Sequence, residues 1–99
     1  MKYLETTNID ENNKLELAVF PNPTTNYINV IFDNITAGNI RLELLNSKGQ
    51  VVSVPIENTF YDSGVASITI SDLELPVGSY FIRLMTASRV EMKGIVITK

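Results

Sequence analysis

From Leu15 onward, apolar side chains recur at every second position in short runs rich in Val, Ile, Tyr and Phe, and each run is broken by Gly, Asn, Asp, Ser or Pro. A period of two marks half-buried strands, and no segment carries the period of about 3.6 that an amphipathic helix would show. The runs predict strands over residues 15–20, 26–32, 39–45, 50–56, 64–70, 79–86 and 90–98. Ile28, Val30 and Phe32 share one face of the second strand. Ile40, Leu42 and Leu44 share one face of the third, with Arg41 and Glu43 opposite. Ala66, Ile68 and Ile70 are expected to face inward, as are Tyr80, Ile82 and Leu84.

The breaks supply the turns. Asn46-Ser47-Lys48-Gly49 places a glycine where a positive φ is expected, so the third and fourth strands should form a hairpin. Asp62-Ser63-Gly64 and Thr86-Ala87-Ser88-Arg89 mark two more turns, and Leu73, Leu75 and Pro76 should cross one end of the structure. The fold class that follows is all-β: an antiparallel Greek-key β-sandwich, immunoglobulin-like, of about seven strands. It lacks the cysteines and tryptophan of antibody domains.

Between the first two runs stands Pro21-Asn22-Pro23. Each proline fixes φ at about −65°, removes a backbone N–H and pushes the preceding residue toward extended geometry. The tripeptide is therefore a rigid corner that interrupts a ladder. Residues 1–14 are polar, with Thr6-Thr7-Asn8 and Asp10-Glu11-Asn12-Asn13, and read as a flexible leader or linker; 15–99 reads as one domain.

Composition narrows the function classes. Ninety-nine residues with 44% hydrophobic content suit one domain that buries about 65% of its unfolded surface. Without cysteine or histidine there is no disulfide, thiol nucleophile, imidazole base or usual zinc ligand set. The eight basic residues are scattered in a chain of net charge −3, which argues against nucleic acid. No apolar run approaches the roughly 20 residues of a membrane helix, so no direct membrane insertion is expected. The polar start is not a signal peptide, so an exported protein of this sequence would be a fragment of a longer precursor.

Chemistry-bearing candidates are few. Asp33, Asp62, Asp72 and Glu74 lie in or near turns, where acidic side chains cap and bend backbone. Asp72 with Glu74 offers far fewer than the six to eight or so oxygens calcium prefers. No group activates a hydroxyl nucleophile, so neither catalysis nor a cofactor is expected. Phe20, Phe32 and Tyr80 suit core packing better than a sugar-stacking platform. The final run Lys93-Gly94-Ile95-Val96-Ile97-Thr98-Lys99 has two readings: a last strand whose lysines discourage edge pairing, or an exposed strand that a partner binds by strand addition.

Taken in order, Val19-Phe20-Pro21-Asn22-Pro23, Tyr27-Ile28-Asn29-Val30, Leu44-Leu45-Asn46-Ser47-Lys48-Gly49-Gln50-Val51-Val52, Leu75-Pro76-Val77-Gly78-Ser79-Tyr80-Phe81-Ile82-Arg83-Leu84 and the final run resemble the type A C-terminal sorting domain of type IX secretion cargo. The resemblance covers residues 17–99. It implies a non-enzymatic export signal that folds in the periplasm, is recognised by the outer-membrane translocon and shuttle components, and leaves its cargo at the cell surface or secreted. It further implies removal of the domain by a surface sortase-like cysteine peptidase, upstream in the polar leader, with anchoring or release of the cargo. The sorting-motif positions carried over are Pro21, Asn22 and Pro23, then Gly78 and Tyr80, then Lys93, Ile95, Val96, Ile97 and Lys99. Gly94 and Tyr27 depart from the family pattern, and Gly94 is expected to loosen the last strand. The alternative is an accessory sandwich that binds carbohydrate or adheres to a surface, with Tyr61 as an exposed aromatic; an uncovered edge would also permit dimerisation of the excised domain.

Overall fold

The computed structural model describes residues 17–99. The leader 1–14 and the domain boundary at residue 15 lie outside them. Seven strands follow: β1 (Ala18–Phe20), β2 (Ile28–Asn34), β3 (Gly38–Asn46), β4 (Val51–Tyr61), β5 (Gly64–Ile70), β6 (Gly78–Met85) and β7 (Val90–Ile97). They form two antiparallel sheets, one in the order β1-β2-β5 and the other in the order β4-β3-β6-β7. The chain changes sheet between β2 and β3, between β4 and β5, and between β5 and β6, as an immunoglobulin-like sandwich requires.

The alternation read from the sequence sets the inner faces. Ile28, Val30 and Phe32 from one sheet meet Ile40, Leu42, Leu44, Tyr80, Ile82 and Leu84 from the other, and Ile95 and Ile97 of β7 complete the same core. Ala66, Ile68 and Ile70 pack against it half-buried. Leu73 is buried at the sandwich end, whereas Pro76 is exposed. Gly49 takes φ +84° in the β3–β4 turn, where Asn46 Oδ1 accepts from the N–H groups of Lys48 and Gln50 at 2.9 and 3.0 Å.

Three details differ from expectation. First, Phe20 is 44% exposed: its ladder partner is Asn29, on the outer face, and Val19 takes the inward position opposite Val30. Second, β4 runs on through Tyr61, well past residue 56. Register shifts against β3 accommodate Pro55 and Asn58, whose φ is +50°, and an edge strand tolerates both. Third, Glu43 lies on the outer face as its parity requires, yet it is only 4% exposed. Arg41 Nε donates to its Oε2 at 2.6 Å and Arg83 Nε to its Oε1 at 2.7 Å, and the two guanidiniums shield it from water.

The hydrogen bond from Arg41, reinforced by Arg83 and opposed by burial, holds the Glu43 carboxyl below the ordinary carboxylate range. A carboxyl with a depressed folded-state pKa contributes stability above its unfolded pKa and loses it as pH falls through the folded value. The melting temperature should therefore fall on acidification below about pH 4 to 5, and Glu43→Gln should flatten that dependence. Thermal melts at pH 7 and pH 3 check this. An equally steep acid loss in the variant would show that other carboxylates govern it.

Candidate recognition site at the corner and terminal strand

The corner leaves β1 at Phe20 and carries the chain from the edge of the three-stranded sheet to the edge of the four-stranded one. There it lies along β7. The Asn22 side chain spans two strand residues: Nδ2 donates to Gly94 O at 3.2 Å and Oδ1 accepts from Val96 N at 2.9 Å. Its amide thus presents one donor and one acceptor, as a peptide group of a neighbouring strand would. Two residues on, the backbone continues the pattern. Thr24 N donates to Val96 O at 2.9 Å, Thr98 N donates to Thr24 O at 2.8 Å, and Thr24 pairs in parallel with Ile97.

The prolines fit this arrangement because neither carries an N–H that an extended segment would leave unpaired. Thr24 is 2% exposed, its hydroxyl donating to Tyr27 O, and Leu73 N donates to Asn26 O at 2.8 Å. The corner is thereby tied on both sides. Residues 22–24 act as a short cover strand over the last part of β7.

The second motif sits beside this region. Gly78 takes φ +159°, which L side chains rarely adopt, and an added Cβ would meet nothing closer than Tyr80 Cε1 at 3.8 Å. Backbone conformation, not space, therefore favours glycine there. Tyr80 is 7% exposed, and its hydroxyl donates to Pro76 O at 2.7 Å. This is the tyrosine corner of immunoglobulin-like sandwiches, in which a buried phenol ties a strand to the connection before it. Tyr80→Phe should cost about 1 kcal/mol. That corresponds to a melting temperature lower by roughly 4–8 °C. A calorimetric melt checks this, and an unchanged melt would show that water replaces the bond freely.

The terminal motif splits by parity. Ile95 and Ile97 are 1% and 0% exposed, whereas Val96 faces out. Lys93 and Lys99 are exposed, and Lys93 has the parity of the inward isoleucines, an inward-pointing charge that discourages edge pairing. Gly94 keeps its place in the β6–β7 ladder. Phe81 pairs with it across the ladder, and the ring lies 3.7 Å from where a Cβ would stand.

The structure therefore brings Asn22 onto Gly94 and Val96, with Pro21 and Pro23 on either side in the chain, and sets Tyr80 opposite Ile95 in the β6–β7 ladder. Lys99 stands apart, beyond the end of β7. The family model of the secretion system C-terminal sorting domain matches residues 18–98. The chain belongs to that family. No curated protein matches it. In this sorting domain of type IX secretion Tyr80, Ile95 and Ile97 are buried and Asn22 is bonded to β7, so strand addition to β7 between Gly94 and Thr98 would compete with bonds already made.

One candidate looks different in the fold, and another does not. Tyr61, suggested as an exposed aromatic, packs against the core, its ring 6.2 Å from that of Phe32. Asp72 has φ +55°, in keeping with a turn residue. Sequence reasoning missed Thr24 and the buried ion cluster at Glu43. The signal for the cluster was present as arginines at Arg41 and Arg83 with a lone acidic residue between them in register.

Proposed function

We propose that the folded sandwich as a whole, not a linear tail, is the export signal that the type IX apparatus reads. The observation that carries this reading is the clamp of Asn22 and Thr24 on β7, by which the first and last motif segments, more than 70 residues apart, become one structural unit. The domain folds in the periplasm, and shuttle components and the outer-membrane translocon dock to it. Its cargo passes to the cell surface. A sortase-like cysteine peptidase there then cuts upstream of the sandwich, in the polar leader, and the cargo is anchored or released. The domain is the substrate in these steps.

The test is a reporter carrying an inner-membrane export signal and ending in the full 99-residue chain, expressed in a host with a functional type IX system. Surface or medium fractions should contain the reporter. In a translocon-null host it should stay periplasmic. Equal surface delivery in both hosts would refute the sorting role.

A further inference from the structure

Leu17, the first of the described residues, is tied down by a carboxylate 74 positions along the chain: its N–H donates to Glu91 Oε1 at 3.2 Å. Glu91 stands near the start of β7 with the parity of Ile95 and Ile97, and its side chain is only 20% exposed. Arg89 Nε pairs with Glu91 Oε2, and Arg89 Nη2 donates to Asp33 O at 3.2 Å, near the end of β2 in the other sheet. The β6–β7 turn holds Arg89 in place, because Thr86 N donates to Arg89 O at 2.9 Å and Thr86 Oγ1 accepts from Arg89 N at 3.2 Å. One ion pair thus joins the start of β1, the end of β2 and β7.

The segment that this pair restrains is short. β1 has three residues, and its ladder on β2 pairs Ala18 with Ile31, Val19 with Val30 and Phe20 with Asn29. Leu17 is buried, but Ala18 and Val19 are half-buried and Phe20 is exposed. Past the corner, Asn22 and Thr24 are fixed separately on β7 and Thr98. Residues 17–21 therefore span two independent fastenings, and a short edge segment of this kind opens well below the free energy of global unfolding.

We infer that the Glu91–Arg89 pair sets the downstream limit of processing: it keeps β1 closed, so that the surface peptidase cuts only upstream of Leu17 and the released sandwich keeps its first strand. The inference rests on the cleavage step proposed above. Proteolysis acts on backbone that has opened from the fold. In the cut, the peptidase cysteine takes the carbonyl carbon as a thioester, the C–N bond breaks, and the new amino terminus takes the proton and leaves with the domain. Water, or an amine at the anchor, then displaces the thiol. Opening of β1 would offer Ala18-Val19-Phe20 to the same chemistry and strip Leu17 and Val19 from the core. Glu91 and Arg89 are positioning residues that act through Leu17.

The experiment treats the purified 99-residue chain with proteinase K and reads the resistant fragments by mass spectrometry. Wild-type fragments should begin at or before Leu17. In Glu91→Ala and Arg89→Ala, cuts between Leu17 and Pro21 should come about tenfold faster, as the loss of a hydrogen bond to a charged group implies. Tyr80→Phe, which lowers global stability without touching β1, should stay within twofold of wild type. If both alanine variants unfold, amide exchange at Leu17 of the wild type decides, and it should be at least tenfold slower than in an unstructured peptide. In the reporter fusion above, the released wild-type domain should begin upstream of Leu17, and Glu91→Ala should add species beginning within β1. Equal cutting of β1 in wild type and Glu91→Ala, an equal rise in Tyr80→Phe, or unprotected exchange at Leu17 overturns this inference alone. So does an exported wild-type fusion whose domain is released with its first residue beyond Leu17, or is never released. A wild-type fusion that is never exported overturns the sorting reading and the inference with it.

Discussion

Deleting Lys93–Lys99 is expected to unfold the domain, not to leave a folded body that has merely lost its address. The deletion removes Ile95 and Ile97, both essentially fully buried, together with the ladder partners of Gly78–Ile82 and the strand on which Asn22 and Thr24 rest. Truncating a buried isoleucine to alanine alone costs about 2–5 kcal/mol, so losing two approaches the roughly 5–15 kcal/mol that holds a small domain folded. The single variant Ile97→Ala should lower the melting temperature by roughly 10–30 °C on the same reasoning. Val96→Thr, on the outward side of the same strand, should change it by no more than a few degrees. Circular dichroism melts and limited proteolysis of the three variants measure this. A truncated domain that still melts cooperatively within about 5 °C of wild type would show that β7 is an appendage. It follows that loss of secretion on deleting this segment says nothing about docking until the fold of the truncated protein has been measured.

The alternation of side chains made the strands and their faces readable, because a period of two assigns Ile28, Val30 and Phe32, or Tyr80, Ile82 and Leu84, to one side without reference to any partner. Gly49 was readable as a turn for a local reason as well, its positive φ. What the pattern did not contain was anything that depends on which edge meets which. Pro21-Asn22-Pro23 read as a corner, and its second role on β7 arises only when the sandwich closes and residue 22 comes to lie beside residue 95. The burial of Glu43 has the same origin. Its parity is outward, and only the register of β3 with β6 brings Arg83 opposite it. Phe20 erred in the other direction, since aromatic character suggested core while the pairing of β1 with β2 gives the inward position to Val19.

Asn22→Ala is expected to loosen the clamp while sparing the core. The substitution removes both side-chain bonds to β7 and leaves Gly94 O and Val96 N on an edge that water reaches, so each loss is the modest net value of a hydrogen bond, about 1–2 kcal/mol for the pair. The melting temperature should fall by roughly 5–15 °C. Asn22→Asp should fall further than Asn22→Ala, because it turns a donor into a second acceptor facing the Gly94 carbonyl. Asn22→Gln should not restore wild type, because one extra methylene moves the amide off the spacing between Gly94 O and Val96 N. The decisive readout is local. Amide exchange at Val96 should accelerate in Asn22→Ala far more than exchange at Ile82, which lies in the centre of the core, because the first opens with the clamp and the second only with the whole domain. Unchanged protection of Val96 would mean that the Thr24 backbone bonds hold the strand unaided. The asparagine would then matter for something outside the fold, and a direct contact with the secretion apparatus would become its best remaining explanation.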